Sequence, residues 1–118
     1  MYRVGPQKRR LYRAEVTWAV TVETAKGSVE AETRDISTEG AHIRLSTPLE
    51  LHEPVNLIIR PTEREPLKVA ATVIWSEGAD QSGRPRIIGA RFTEISNEDR
   101  QFLEQVAARR FRDKMKMS

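Results

Sequence analysis

The sequence predicts an all-β fold, a six-stranded antiparallel barrel, with one helix at its C-terminal end. Two observations carry this. From Tyr12 to Phe92, apolar residues recur at every second position in short runs, the period of half-buried strands. After Ser96 the apolar spacing becomes helical. The runs are separated by turn residues and spaced by roughly 8–12 positions, which suits a barrel or sandwich and not a parallel sheet with crossover helices.

The elements follow in order. Val16, Trp18, Val20 and Val22 alternate with Glu15, Thr17, Thr21 and Glu23 in a first strand, and Lys26-Gly27 turns the chain. Val29, Ala31 and Thr33 alternate with Glu30, Glu32 and Arg34 in a weaker second strand. Ala41, Ile43 and Leu45 alternate with His42, Arg44 and Ser46 in a third. Val55 to Arg60 forms a fourth, ended by Pro61, which has no N–H for a ladder. Leu67, Val69, Ala71, Val73 and Trp75 share one face of a long fifth strand, so Trp75 is expected in the core, as is Trp18. Ser82-Gly83 is a turn, and Ile88, Ala90 and Phe92 face inward from a sixth strand. Ser96 is placed to cap a helix, with Asp99 three residues on. Phe102, Leu103, Val106, Ala107 and Phe111 follow on its apolar side, with acids at its start and bases at its end, as the helix dipole favours. The expected division is an N-terminal basic arm at 1–11, a barrel at 12–95 and a capping helix at 96–114.

Composition narrows the function. A chain of 118 residues with 38% hydrophobic content supports one core and leaves little room for another. With no cysteine there is neither a disulfide framework nor a thiolate metal site, and His42 and His52 alone do not suggest a zinc centre. No apolar run approaches the ~20 residues that span a bilayer, and no apolar signal-peptide core opens the chain, so a cytoplasmic location without membrane insertion is expected. The net charge of +3 is uneven: residues 1–13 carry +5, residues 109–118 carry +4, and the body between them carries −6. An acidic body with basic ends is not the footprint of a general DNA binder, which spreads positive charge over a folded face.

Two short segments stand out. Arg9-Arg10-Leu11-Tyr12-Arg13 precedes the first strand, and Asp35-Ile36-Ser37-Thr38-Glu39-Gly40 lies between the second and third. Arg9 and Arg13 have the form RxxxR, and Asp35, Ser37 and Gly40 the form DxSxxG. Together, in this order and on this β pattern, they resemble the paired signature of PilZ domains; Gly89-Ala90-Arg91-Phe92 is similar to the end of the last PilZ barrel strand. The resemblance runs from Lys8 through the C-terminal helix and implies a PilZ-like split barrel. It also implies a non-catalytic receptor for cyclic di-GMP with no cofactor. The expected binding residues are Lys8, Arg9, Arg10, Arg13, Asp35, Ser37 and Gly40.

The chemistry suits that ligand. A guanidinium fork meets guanine O6 and N7, grips phosphate, and stacks on a base. A carboxylate accepts from guanine N1–H and N2–H, a hydroxyl donates and accepts, and glycine lets the backbone approach a flat base. Trp75, expected in the core, has stacking on a guanine as its alternative; His42 and Arg44, on an outward face beside the second motif, are expected to be plainly solvated, with a place lining the site as the alternative. The arm is expected to order on binding and, with the ligand, to offer a surface to an unidentified protein effector, the domain itself being a monomer. In PilZ domains a basic residue before the first arginine favours an intercalated pair of ligands; Lys8 stands there, so two per chain are expected. No arrangement of catalytic groups is evident, so an enzyme is not expected. Two alternatives remain: a small barrel binding single-stranded nucleic acid through exposed aromatics, and a PilZ-like adaptor without ligand.

Overall fold

The computed structural model describes residues 13–78 and 86–116. Six antiparallel strands run in order: β1 (Ala19–Thr24), β2 (Gly27–Ile36), β3 (Gly40–Leu45), β4 (Pro54–Arg60), β5 (Leu67–Gly78) and β6 (Arg86–Glu94). They close into a barrel with the neighbour order β1-β2-β3-β6-β5-β4. One helix, α1 (Asn97–Lys116), follows. The expected barrel and C-terminal helix are both present. The arm at 1–11 and the Ser82-Gly83 turn lie outside the described residues.

The alternation read in the sequence becomes the inside and outside of the barrel. Val20, Val22, Ile43, Leu57, Ile59, Leu67, Val73 and Ile88 are fully buried. Each such side chain contributes roughly 1.5–3 kcal/mol relative to exposure, so this ring dominates the fold's stability. β3 and β4 lie on opposite sides of the ring, and residues 46–53 carry the chain across one end, with Leu49 buried beneath.

The first strand begins later than its alternation suggests. Ala14, Val16 and Trp18 are buried, yet regular pairing starts only at Ala19. Thr33 is the reason. Its hydroxyl accepts from the Trp18 N–H at 2.9 Å and donates to the Val16 carbonyl at 2.5 Å, while its N–H donates to the Trp18 carbonyl at 2.9 Å, so a side chain takes over part of the ladder there. Residues 14–18 are then fastened by a bridge between Ala14 and Ile36.

The helix starts as expected. The Ser96 hydroxyl accepts from the Asp99 N–H at 3.1 Å and caps the first turn. Leu103, Val106 and Ala107 are buried, and the Phe102 ring stacks on Trp18 with centroids 6.1 Å apart. Arg64 fixes this end from the β4–β5 link, 3.2 Å from Asp99 and over the Phe102 ring. Phe111, expected on the apolar side, is 41% exposed.

Two irregularities matter most. β2 gains an extra residue against β3 between Thr33 and Asp35, and β5 gains one against β6 between Val73 and Trp75. An extra residue reverses which face the chain presents beyond it. Thr33 and Val73 therefore point inward, fully buried, while Asp35 and Trp75, two positions later, do not join them. The expectation that Trp75 is a core residue is corrected on this ground.

Candidate functional site

The register builds a row across four strands. Asp35 of β2 pairs with His42 of β3, His42 with Gly89 of β6, and Gly89 with Trp75 of β5. Ile88 and Ala90 flank Gly89 and are both buried in the core, so the row lies on the outer face. Both of its ends, the carboxylate and the indole, were turned there by the two extra residues.

Gly89 makes the row continuous. A Cβ at that position would lie 2.5 Å from the Trp75 Nε1 and 2.7 Å from Cε2, so the indole occupies the space a side chain would take. From there it meets the His42 ring, with centroids 5.0 Å apart and planes tilted by 51°. Trp75 is half-buried.

Asp35 anchors the other end. Its side chain is 9% exposed and is paired with the Arg13 guanidinium through Oδ1. His42 Nδ1 sits astride the carboxylate, 2.9 Å from Oδ1 and 3.0 Å from Oδ2. An ionised carboxylate only accepts, so Nδ1 is the donor. Arg34 Nε adds a longer contact at 3.8 Å. An ionised carboxylate has about four acceptor positions, so with two donors in place it keeps about two more.

Ser37 and Gly40 shape the turn beside Asp35. The Ser37 N–H donates to the Gly40 carbonyl at 2.9 Å, and the Ser37 hydroxyl accepts from the Glu39 N–H at 3.1 Å. Gly40 begins β3, where a Cβ would come within 2.4 Å of the Ala90 carbonyl oxygen, so only glycine lets β3 approach β6 this closely. The structure thus brings Arg13, Asp35, Ser37 and Gly40 together, with Asp35 on strand β2 and only residues 37–39 between strands. Lys8, Arg9 and Arg10 lie outside the described residues.

Arg44 lies on the solvated outer face expected of it, but His42 does not. His42 is held between Asp35 and Trp75, and Arg44 donates to Glu32 at 2.7 Å. Trp75 was assigned to the core because period-2 counting passes straight through an extra residue. The signal available was Gly89, a strand-interior glycine, which marks a place where another group comes close. Clefts of about 600 and 640 Å³ open on β4 and β5, and neither includes a residue of the row. Among the described residues no three histidine, aspartate or glutamate side chains gather to hold a metal ion, and no helix is long and apolar enough to cross a membrane.

Fold and site define a small closed β-barrel module with one polar and aromatic row beside its β2–β3 turn. The PilZ domain family model matches residues 7–109, and the chain belongs to that family. Solved structures are similar in fold. The inhibitor of motility MotI/DgrA from Bacillus subtilis has a TM-score of 0.75 at 24% identity, the match covering 87% of this chain and 50% of that one. The PilZ domain of YcgR from Escherichia coli, determined with c-di-GMP, has a TM-score of 0.69 at 13% identity, covering 90% and 93%. MrkH from K. pneumonia has a TM-score of 0.74 at 17% identity, covering 100% and 54%. The chain therefore spans about half the length of the motility inhibitor and of MrkH. A search of the curated proteins returns no match.

Proposed function

We propose that this domain is a non-catalytic receptor for cyclic di-GMP that acts through a protein partner. The observation that carries the reading is the joining of Arg13, Asp35, His42 and Trp75 on one face. These are the groups a guanine nucleotide needs. Asp35 keeps acceptor positions for the N1–H and N2–H pair that distinguishes guanine from adenine. Trp75 offers a flat face, and stacking of a base on an aromatic is worth about 1–3 kcal/mol. Arg13 supplies a planar cation for phosphate or the guanine Hoogsteen edge. Lys8, Arg9 and Arg10, close in sequence, would add the charge that two phosphates require, and Lys8 favours an intercalated pair of ligands. Ser37 and Gly40 hold the turn that presents Asp35.

The test is isothermal titration with cyclic di-GMP, cyclic di-AMP and a single-stranded oligonucleotide. The expected result is saturable binding of cyclic di-GMP alone, with the dinucleotide recovered unhydrolysed. Equal affinity for cyclic di-AMP would remove the role given to Asp35, and preferential binding of the oligonucleotide would replace the receptor by a nucleic-acid barrel.

A further inference from the structure

We propose that His42 is a positioning residue of this site, holding the Asp35 carboxylate and the Trp75 indole in one fixed relation; the role rests on the receptor reading above. Two contacts from one side chain support it. Nδ1 lies within hydrogen-bond distance of both Asp35 oxygens, and the ring packs on Trp75. No other described residue touches both ends of the row by such contacts. Asp35 and Trp75 sit on β2 and β5, with two strands between them. A guanine that stacks on the indole while its Watson–Crick edge meets the carboxylate needs those two groups in register to within about half an ångström. The backbone sets the strands, but the side-chain angles of Asp35 and Trp75 need a further restraint, and His42 supplies one for each.

The hydrogen bond also dictates the imidazole's proton. A carboxylate accepts only, so neutral His42 carries its hydrogen on Nδ1 and leaves Nε2 as the acceptor. The pair resembles a carboxylate–histidine unit in which a second group fixes ring orientation and tautomer. Here the direction of service is reversed: the imidazole steadies the carboxylate. Arg13 shares the Oδ1 contact, but among the described residues it is His42 whose ring meets Trp75, so Arg13 restrains the carboxylate and not the indole.

The test compares H42A, H42N and H42F with the wild type. Asparagine can present an amide N–H near the Nδ1 position and lacks the ring, whereas phenylalanine keeps a ring against Trp75 and lacks the donor. In ligand-free protein at alkaline pH, ring-nitrogen NMR is expected to show His42 in its Nδ1–H form, reverting to Nε2–H in D35A. H42A is expected to bind cyclic di-GMP about tenfold more weakly, the scale of one charge-assisted hydrogen bond, and to discriminate less against cyclic di-AMP. H42N should regain the discrimination, and H42F the wild-type shift of the Trp75 indole N–H resonance. Unfolding midpoints taken alongside separate loss of fold from loss of positioning. Wild-type protein indifferent to cyclic di-GMP would sink the receptor reading and this role with it. Wild type and H42A binding with equal affinity and selectivity would sink the role of His42 alone, as would an Nε2–H tautomer in the free wild type.

Discussion

Trp18 stacks on Phe102 under the helix with 4% of its surface exposed, while Trp75 lies half-buried over Gly89 beside His42. Both sit in apolar-alternating stretches, and both share sequence parity with three valines or alanines of the core. The difference is one residue. Val16, Trp18, Val20 and Val22 keep their parity and all stay inside. Val73 is inside, Ile74 is the extra residue at 42% exposure, and Trp75 emerges on the opposite face. The same residue type therefore becomes core in one place and site in the other, according to whether an extra residue interrupts the alternation before it.

Substitutions break this comparison apart. Trp18→Ala is expected to have the largest effect, about 3–5 kcal/mol off the stability, because it opens a cavity between barrel and helix. Thermal or urea unfolding would show it, and a loss under 1 kcal/mol would mean that the helix is not docked through Trp18. Arg13→Ala should weaken cyclic di-GMP binding by about ten- to over a hundredfold, the scale of a lost charge-assisted bond. It should also lower stability by about 1 kcal/mol, because Asp35 is left with less compensation. Arg9→Ala should affect binding only. The pairing of Arg13 with a carboxylate only 9% exposed ties it to the fold as well as to the proposed site. Unfolding curves that fail to separate the two arginine variants would refute that distinction.

Trp75→Ala should leave the unfolding midpoint close to wild type and reduce affinity by about 1–3 kcal/mol. Gly89→Ala approaches the same result from beneath, since its methyl group would displace the indole. Titration and near-ultraviolet circular dichroism read both variants. An unaltered Trp75 signal in Gly89→Ala would show that the indole does not rest where the row requires. The smallest change in energy is expected from Lys8→Leu, which should shift stoichiometry from two ligands per chain toward one while the Asp35–Gly40 half still binds. Calorimetric saturation at one ligand in the wild type would remove the basis for that expectation.

The six strands and the helix start were legible because burial with period 2 or 3.6 is written directly into residue order. Ile43, Leu57 and Ile88 could hardly face elsewhere. Arg13, Asp35, Ser37 and Gly40 were legible as a motif, and the register brings them together. What stayed hidden depends on counting across strands. Neither extra residue, Arg34 or Ile74, carries a composition signal, and each reverses a face. His42 was set aside for the same reason: its partners are seven and 33 positions away, and only the pairing of four strands makes them adjacent.

Closure of the barrel has one more consequence. Each of the six strands has a neighbour on both sides, β1 and β4 completing the ring, so no described strand stands as a free edge along its whole length. A polypeptide that adds a strand therefore finds only short stretches, such as residues 27–31 of β2 on the β3 side, and not the full edge through which many modules capture peptides and unprotected sheets polymerise. A partner is therefore expected to read the domain chiefly by its side chains. Under the proposed role this makes the message depend on which residues the ligand covers or rearranges around the row, and leaves the hydrogen-bonded frame the same in either state.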